Sequence, residues 1–153
     1  MGRGGRAAAT KAGVALAAGA LPFALGMGTA AADEAYSQSF FTEHTFTAGD
    51  GRSVTCSVSG ESNLFRPSGA ETFDADALTE AIGEDPSCSS TFVEVIATYT
   101  DPSGRTKTTG ANSINGDVQW FADDVASGLR VLHRVTFSDC RADCEASATT
   151  SPK

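Results

Sequence analysis

In an extended chain, residues 91–100 have one apolar face and one face that mixes apolar and polar side chains, which predicts a central β-strand. The wholly apolar face of this strand comprises Val93, Val95, Ala97 and Tyr99. The strand ends at residues 101–104 (Asp-Pro-Ser-Gly), whose residue types suit the successive positions of a tight turn. A threonine-rich segment at residues 105–109 follows, so we predict a hairpin whose second strand lies nearer the sheet edge.

Four further segments alternate with a period of two, or are rich in β-branched and aromatic residues, and therefore predict strands. These segments are residues 39–47, 52–59, 117–121 and 129–138. Residues 74–83 predict one short helix, capped by Asp74 or Asp76 and closed by Gly83. The segments between these elements predict loops and turns, and they are residues 60–70, 84–90, 110–116 and 123–128.

Six strands joined by hairpins, without βαβ alternation, indicate an all-β fold. The favoured architecture is a two-sheet antiparallel sandwich of Greek-key or immunoglobulin-like kind with one short helix, and a small antiparallel barrel is the alternative. Residues 33–145 are predicted to form this β-sandwich domain. The polar tail at residues 146–153 has nothing to bury, so we expect it to be disordered.

Residues 1–32 have the three parts of a secretory signal peptide: early basic residues, an apolar stretch at residues 12–28, and three alanines at residues 30–32 as a cleavage site. The leader resembles those of high-GC Gram-positive bacteria. Because the apolar stretch is short for a membrane span and contains Pro22, we expect its removal. The sequence therefore predicts a secreted, extracellular protein without a membrane anchor in its mature form.

The mature chain is strongly acidic. The whole chain has 11 Lys and Arg against 19 Asp and Glu, and loss of the three basic residues of the leader leaves eight against 19, a formal charge of −11. Such a chain, without a basic cluster, argues against nucleic acid and against anionic membranes as partners.

The four cysteines, Cys56, Cys88, Cys140 and Cys144, predict two disulfides, since the export compartment is oxidising and the count is even. Of the three possible connectivities we favour Cys56 with Cys88 and Cys140 with Cys144, and the other two stay open. A zinc site at Cys140 and Cys144 would need further ligands, which the sequence does not supply nearby. We expect neither a metal nor another cofactor.

The two histidines, His44 and His133, lie on strand faces assigned to the core, which favours structural histidines over a general base. The chain also has no G-x-S-x-G, no phosphate-binding glycine loop and no H-E-x-x-H pattern. We therefore expect that the protein is not an enzyme.

Trp120 and Phe121 are the candidate binding residues. Strand alternation sends the two rings to opposite faces, so they cannot both belong to one core. Parity favours Trp120 for the core and Phe121 for the surface. We predict a contact surface that includes Phe121 and the flanking residues 110–116 and 123–128.

A closely spaced cysteine pair near the end of an exported β-sandwich loosely resembles the chromophore-binding apoproteins of the neocarzinostatin type. The likeness covers size, compartment and cysteine count, while the cysteine spacing and the surrounding residues differ, so no binding residue is carried over. We expect an extracellular binding module, monomeric, for an unknown protein or small ligand. The alternative is a secreted protease inhibitor presenting a disulfide-anchored loop around Cys88 or at residues 140–144.

Overall fold

The computed structural model describes residues 32–153, and the predicted signal peptide, apart from its last residue, lies outside the described residues. Within this range the chain forms nine β-strands and a short 3₁₀ turn at Pro86–Cys88. The strands are β1 Glu34–Ala48, β2 Ser53–Arg66, β3 Phe73–Ile82, β4 Thr91–Thr100, β5 Thr106–Ile114, β6 Val118–Val125, β7 Ser127–Phe137, β8 Cys140–Ala142 and β9 Glu145–Thr150.

The strands form two antiparallel sheets that face each other. Sheet 1 has the order β6-β3-β2-β1-β8, and sheet 2 has the order β5-β4-β7-β9. Apolar side chains of both sheets meet between them, and the rings of Phe46 on β1 and Phe137 on β7 stack with their centroids 4.4 Å apart. The predicted all-β fold with two antiparallel sheets is confirmed.

The central strand and its hairpin are also as predicted. β4 lies inside sheet 2 between β5 and β7, and the side chains of its apolar face are buried. The turn after β4 is held by the carboxylate of Asp101, which accepts hydrogen bonds from the backbone amides of Ser103 (2.9 Å) and Arg105 (3.0 Å). β5 forms the edge of sheet 2.

The predicted short helix at residues 74–83 is wrong, because this segment is strand β3. The buried inner positions of β3 are Phe73, Ala75, Ala77 and Thr79. The alanines and Leu78 favour a helix locally, but β2 and β6 flank the segment and pair with both of its edges. Tertiary pairing therefore overrides local propensity. The described residues contain no helix long and apolar enough to span a membrane.

Three strands continue into segments predicted to be irregular: β2 reaches Arg66, β5 reaches Ile114 and β6 reaches Val125. The tail at residues 146–153, predicted to be disordered, instead contributes β9, which pairs with β7 at the edge of sheet 2. Ala146 and Thr150 of β9 are buried. The folded domain therefore extends beyond residue 145.

The disulfides join Cys56 with Cys88 and Cys140 with Cys144, which confirms the favoured connectivity. The first bridge is buried in the core and ties β2 to the 3₁₀ turn that precedes β4. The second closes a short segment at the edge of sheet 1, where β8 pairs with β1. The two bridges thus restrain very different lengths of chain.

Candidate functional site

Trp120 lies on the inner face of β6 and is 5% exposed. Its Nε1 donates a hydrogen bond to Oγ1 of Thr109 on β5 (2.9 Å), and its ring centroid lies 6.1 Å from that of Tyr99. Its cross-strand neighbour on β3 is Ala77, whose small side chain leaves room for the indole. Trp120 therefore belongs to the core, and a partner at the surface would not reach it.

Phe121, the next residue, points outward from sheet 1 and is 69% exposed. Its cross-strand neighbour on β3 is Asp76. Phe65 on β2 repeats the arrangement, since it is 43% exposed and its cross-strand neighbour is Asp74. Each ring thus stands beside a carboxylate, although an exposed aromatic side chain on a sheet gains most from an apolar or β-branched neighbour.

These side chains line an open groove of about 620 Å³ on the outer face of sheet 1, which we call the Phe121 groove. Its lining residues are Phe65, Asp74, Ala75, Asp76, Phe121, Ala122 and Asp123. β3 lies between the two rings, with Phe65 on the β2 side and Phe121 on the β6 side. Residues 110–116 belong to β5 and the turn after it, and they do not line the groove.

The contact surface predicted from the sequence includes Phe121 and, within residues 123–128, Asp123. It does not include Phe65, Asp74 or Asp76. A signal is present at the start of β3, where Phe73, Ala75 and Ala77 alternate with two aspartates, but the residue types in the second half of β2 do not alternate. The sequence does not reveal this face, because its pattern predicts a loop at residues 60–70 and a helix at residues 74–83. Strand parity would otherwise have placed all three side chains on the same outer face.

The outer face of sheet 1 is acidic. Six carboxylates occupy outward positions of β1, β2, β3 and β6, and those positions carry no lysine or arginine. The six residues are Glu43, Glu61, Asp74, Asp76, Glu80 and Asp123. Half of them, Asp74, Asp76 and Asp123, line the Phe121 groove.

Several carboxylates elsewhere in the domain have cationic partners. Arg52 pairs with Asp50 and Asp85 at an end of sheet 1. Lys107 pairs with Asp124, and this contact, together with the hydrogen bond from the Tyr99 hydroxyl, lowers the pKa of the Asp124 carboxyl. The negative charges of Asp50, Asp85 and Asp124 are therefore compensated by neighbouring cations.

The groove carboxylates lack such partners. Among residues 32–153 no salt bridge reaches Asp74, Asp76 or Asp123. Asp76 accepts one hydrogen bond from Nδ2 of Asn63 (2.8 Å), which is neutral. The groove therefore combines two exposed rings with negative charge that the described part of the chain leaves uncompensated.

A larger cleft, of about 720 Å³, opens at one end of the sandwich. Its apolar lining includes the buried side chains of Leu64, Phe73 and Leu129. Its cationic lining residues are Arg130 and Lys153. Arg66, which packs on Phe73 with its guanidinium 4.5 Å from the ring centroid, pairs with Glu34. Of the contact surface predicted from the sequence, Ala126, Ser127 and Gly128 line this cleft, whereas Trp120 and Phe121 do not.

Both histidines pack between strands. The ring of His44 stacks on that of Phe137, with centroids 5.6 Å apart. His133 is 1% exposed, and its ring nitrogens each lie 2.7 Å from a hydroxyl oxygen, of Thr79 on β3 and of Thr150 on β9. Burial lowers the pKa of His133 to about 4. Neither histidine lines the Phe121 groove.

Within the described range, no three His, Cys, Asp or Glu side chains are placed to hold a metal ion together, and this includes the groove carboxylates. Comparison of the chain with protein-family models, characterised proteins and solved structures found no match.

Proposed function

We propose that this protein is a secreted, non-catalytic binding module and that the Phe121 groove is its contact surface. The observation that carries the proposal is the 69% exposure of Phe121 beside the carboxylate of Asp76. An exposed aromatic ring leaves apolar area in water, and a neighbouring carboxylate does not shield it. A partner that covers Phe121 and Phe65 would remove that area from water, as aromatic anchors do at the centres of protein interfaces.

The groove is built on rigid elements. β3, which lies between the two rings, pairs on both of its edges with β2 and β6. From the inner side, the buried indole of Trp120 and its hydrogen bond to Thr109 fix the strand that carries Phe121. Because these backbones are already ordered, little conformational entropy is lost when a partner binds.

The two disulfides support an oxidising compartment, and all cysteines of the chain are engaged in them. The predicted leader points to the same export route. Secretion would also explain the large negative net charge, which favours solubility outside the cell.

The alternative, a protease inhibitor, receives less support. Cys88 is buried in its 3₁₀ turn together with Ser87, and the exposed residues beside them, Glu84, Pro86 and Ser89, lie in a segment that this buried cysteine ties to β2. Arg141, Ala142 and Asp143 are exposed, but the backbone of β8 is paired with β1. An inhibitor needs a rigid loop that stands clear of its scaffold. We therefore place this alternative second.

A selection against a defined probe tests the proposed function. A displayed library of random peptides, balanced in charge, is selected on the wild-type domain, and the enriched peptides are then measured on Phe121→Ala. We expect at least a tenfold loss of affinity, since truncating an aromatic anchor costs more than about 1.4 kcal/mol. The stability of Phe121→Ala should change by no more than about 0.5 kcal/mol, because the ring is exposed.

Phe41→Ala is the matched control. Phe41 is also 69% exposed on the outer face of sheet 1, but it does not line the groove. Peptides that lose affinity for Phe121→Ala and keep it for Phe41→Ala support the proposal. Failure to enrich any peptide, or equal losses for the two variants, would contradict it.

A further inference from the structure

We infer that the Phe121 groove receives an extended segment of a partner polypeptide with basic side chains at alternate positions, an inference that rests on the proposed function. The starting point is the spacing of the carboxylates on β3. Asp74 and Asp76 are two residues apart on the outer side of one strand, which places them roughly 7 Å apart along it. A peptide laid along β3 in extended conformation repeats at the same distance, so basic residues at i and i+2 would each meet one carboxylate.

The two rings flank this row of charge on opposite sides. Phe121 stands next to Asp76 on the β6 side, and Phe65 stands next to Asp74 on the β2 side. An arginine that reaches either carboxylate would therefore lie against a phenyl ring as well. Its planar guanidinium can form two parallel hydrogen bonds to a carboxylate and can also stack on an aromatic face. Arginine consequently fits both components of the groove better than lysine, whose compact ammonium group is more strongly hydrated.

The negative charge of the outer face of sheet 1 also favours a basic polypeptide over two other kinds of partner. The outward positions of β1, β2, β3 and β6 carry only acidic charged residues, so a second copy of the domain that presented the same face would be repelled. Nucleic acid would be repelled for the same reason. A basic polypeptide segment is attracted by the charge, and its side-chain stems can cover the rings.

Synthetic peptides of one length test the inference. The first carries arginine at i and i+2 between serines, the second carries lysine at those positions, the third aspartate and the fourth only serine. We expect fluorescence anisotropy with the wild-type domain to rank their affinities in the order arginine, lysine, serine, aspartate, and the arginine peptide to bind more weakly as salt rises. Amide chemical-shift changes should centre on β3 and on Phe121.

Asp76→Asn and Glu43→Gln form the matched pair of variants, since each removes one negative charge from the outer face of sheet 1 but only Asp76 lines the groove. We expect Asp76→Asn to weaken binding of the arginine peptide about tenfold, because the variant loses one charge-assisted hydrogen-bonding partner of the peptide. Glu43→Gln should change it less than twofold. Equal losses would mean that net charge alone attracts the peptide, and the inference would be wrong.

Three further results would overturn the inference: no measurable binding of the arginine peptide, equal binding of the serine peptide, or binding of spermidine as tight as that of the arginine peptide. The last result would assign the groove to a small polyamine instead of a polypeptide. Library peptides that need Phe121 but lack basic residues would also contradict the inference, yet they would leave the proposed function standing.

Discussion

Replacing Cys56 and Cys88 together by serine should destabilise the protein by about 4 kcal/mol or more, roughly twice the loss expected when Cys140 and Cys144 are replaced. The two bridges span 32 and 4 positions of sequence. Loss of chain entropy in the unfolded state gives about 3.7 kcal/mol for the longer loop and about 2 kcal/mol for the shorter one. The longer bridge is also buried, so serine hydroxyls in its place add the cost of burying polar groups in the core.

Urea unfolding of the two double-serine variants and the wild type gives this comparison directly, with stabilities taken from the denaturation midpoints. The Cys140 and Cys144 variant is the control, because it loses a disulfide of the same chemistry whose cysteines are only half-buried. Similar midpoint shifts for the two variants at similar slope would contradict the prediction. A change of slope confined to one variant would instead point to a more expanded unfolded state in that variant.

The sequence predicted the structure best where the alternation of side chains and the turn-forming residues beside it indicate the same element. β4 alternates throughout, and the turn that follows is stabilised by Asp101 through contacts within four residues of itself. Parity along β6 placed Trp120 inside and Phe121 outside without knowledge of any neighbouring strand. Features of this kind are encoded within a few residues, so a pattern along the chain is enough to find them.

β3 could not be assigned in this way. Ala75, Ala77 and Leu78 favour a helix, and the hydrogen-bonding partners that make the segment a strand are contributed by β2 and β6, the latter about 45 positions away in sequence. The groove went unrecognised for the same reason. Asp74 and Asp76 have the residue type of helix caps, and they become surface carboxylates beside phenyl rings only once three strands are paired.

The prediction that residues 146–153 are disordered rests on their composition, and it is wrong for the part of the tail that forms β9. Small polar residues have little apolar area to bury, which is typical of disordered ends. Thr150, however, is buried, and its Oγ1 lies 2.7 Å from both Oγ of Ser62 and Nε2 of His133. A buried imidazole needs partners of this kind for its nitrogens, and that requirement is not visible in the composition of the tail.

The same histidine leads to the second large effect, an acid-sensitive loss of stability. His133 is 1% exposed between the two sheets, and burial lowers its pKa from 6.5 to about 4. Between these values the unfolded chain takes up a proton at His133 that the folded protein does not. Stability is therefore unaffected by this group above about pH 6.5 and falls as the pH drops towards 4, by about 3 kcal/mol in all, since a tenfold difference in proton affinity corresponds to about 1.4 kcal/mol.

Urea unfolding at a series of pH values from 7.5 to 5 isolates this contribution when wild type is compared with His133→Gln. Glutamine can still hydrogen-bond to the hydroxyls of Thr79 and Thr150 but does not titrate, and the carboxylates contribute equally to both proteins. Wild type should lose about 2 kcal/mol more than the variant between pH 6.5 and 5. If His133→Gln does not fold, NMR titration of the imidazole of His133 in the wild-type protein tests the prediction by itself. Protonation of His133 near pH 6.5 in the folded protein would contradict the prediction, because the folded and unfolded states would then take up the proton at the same pH.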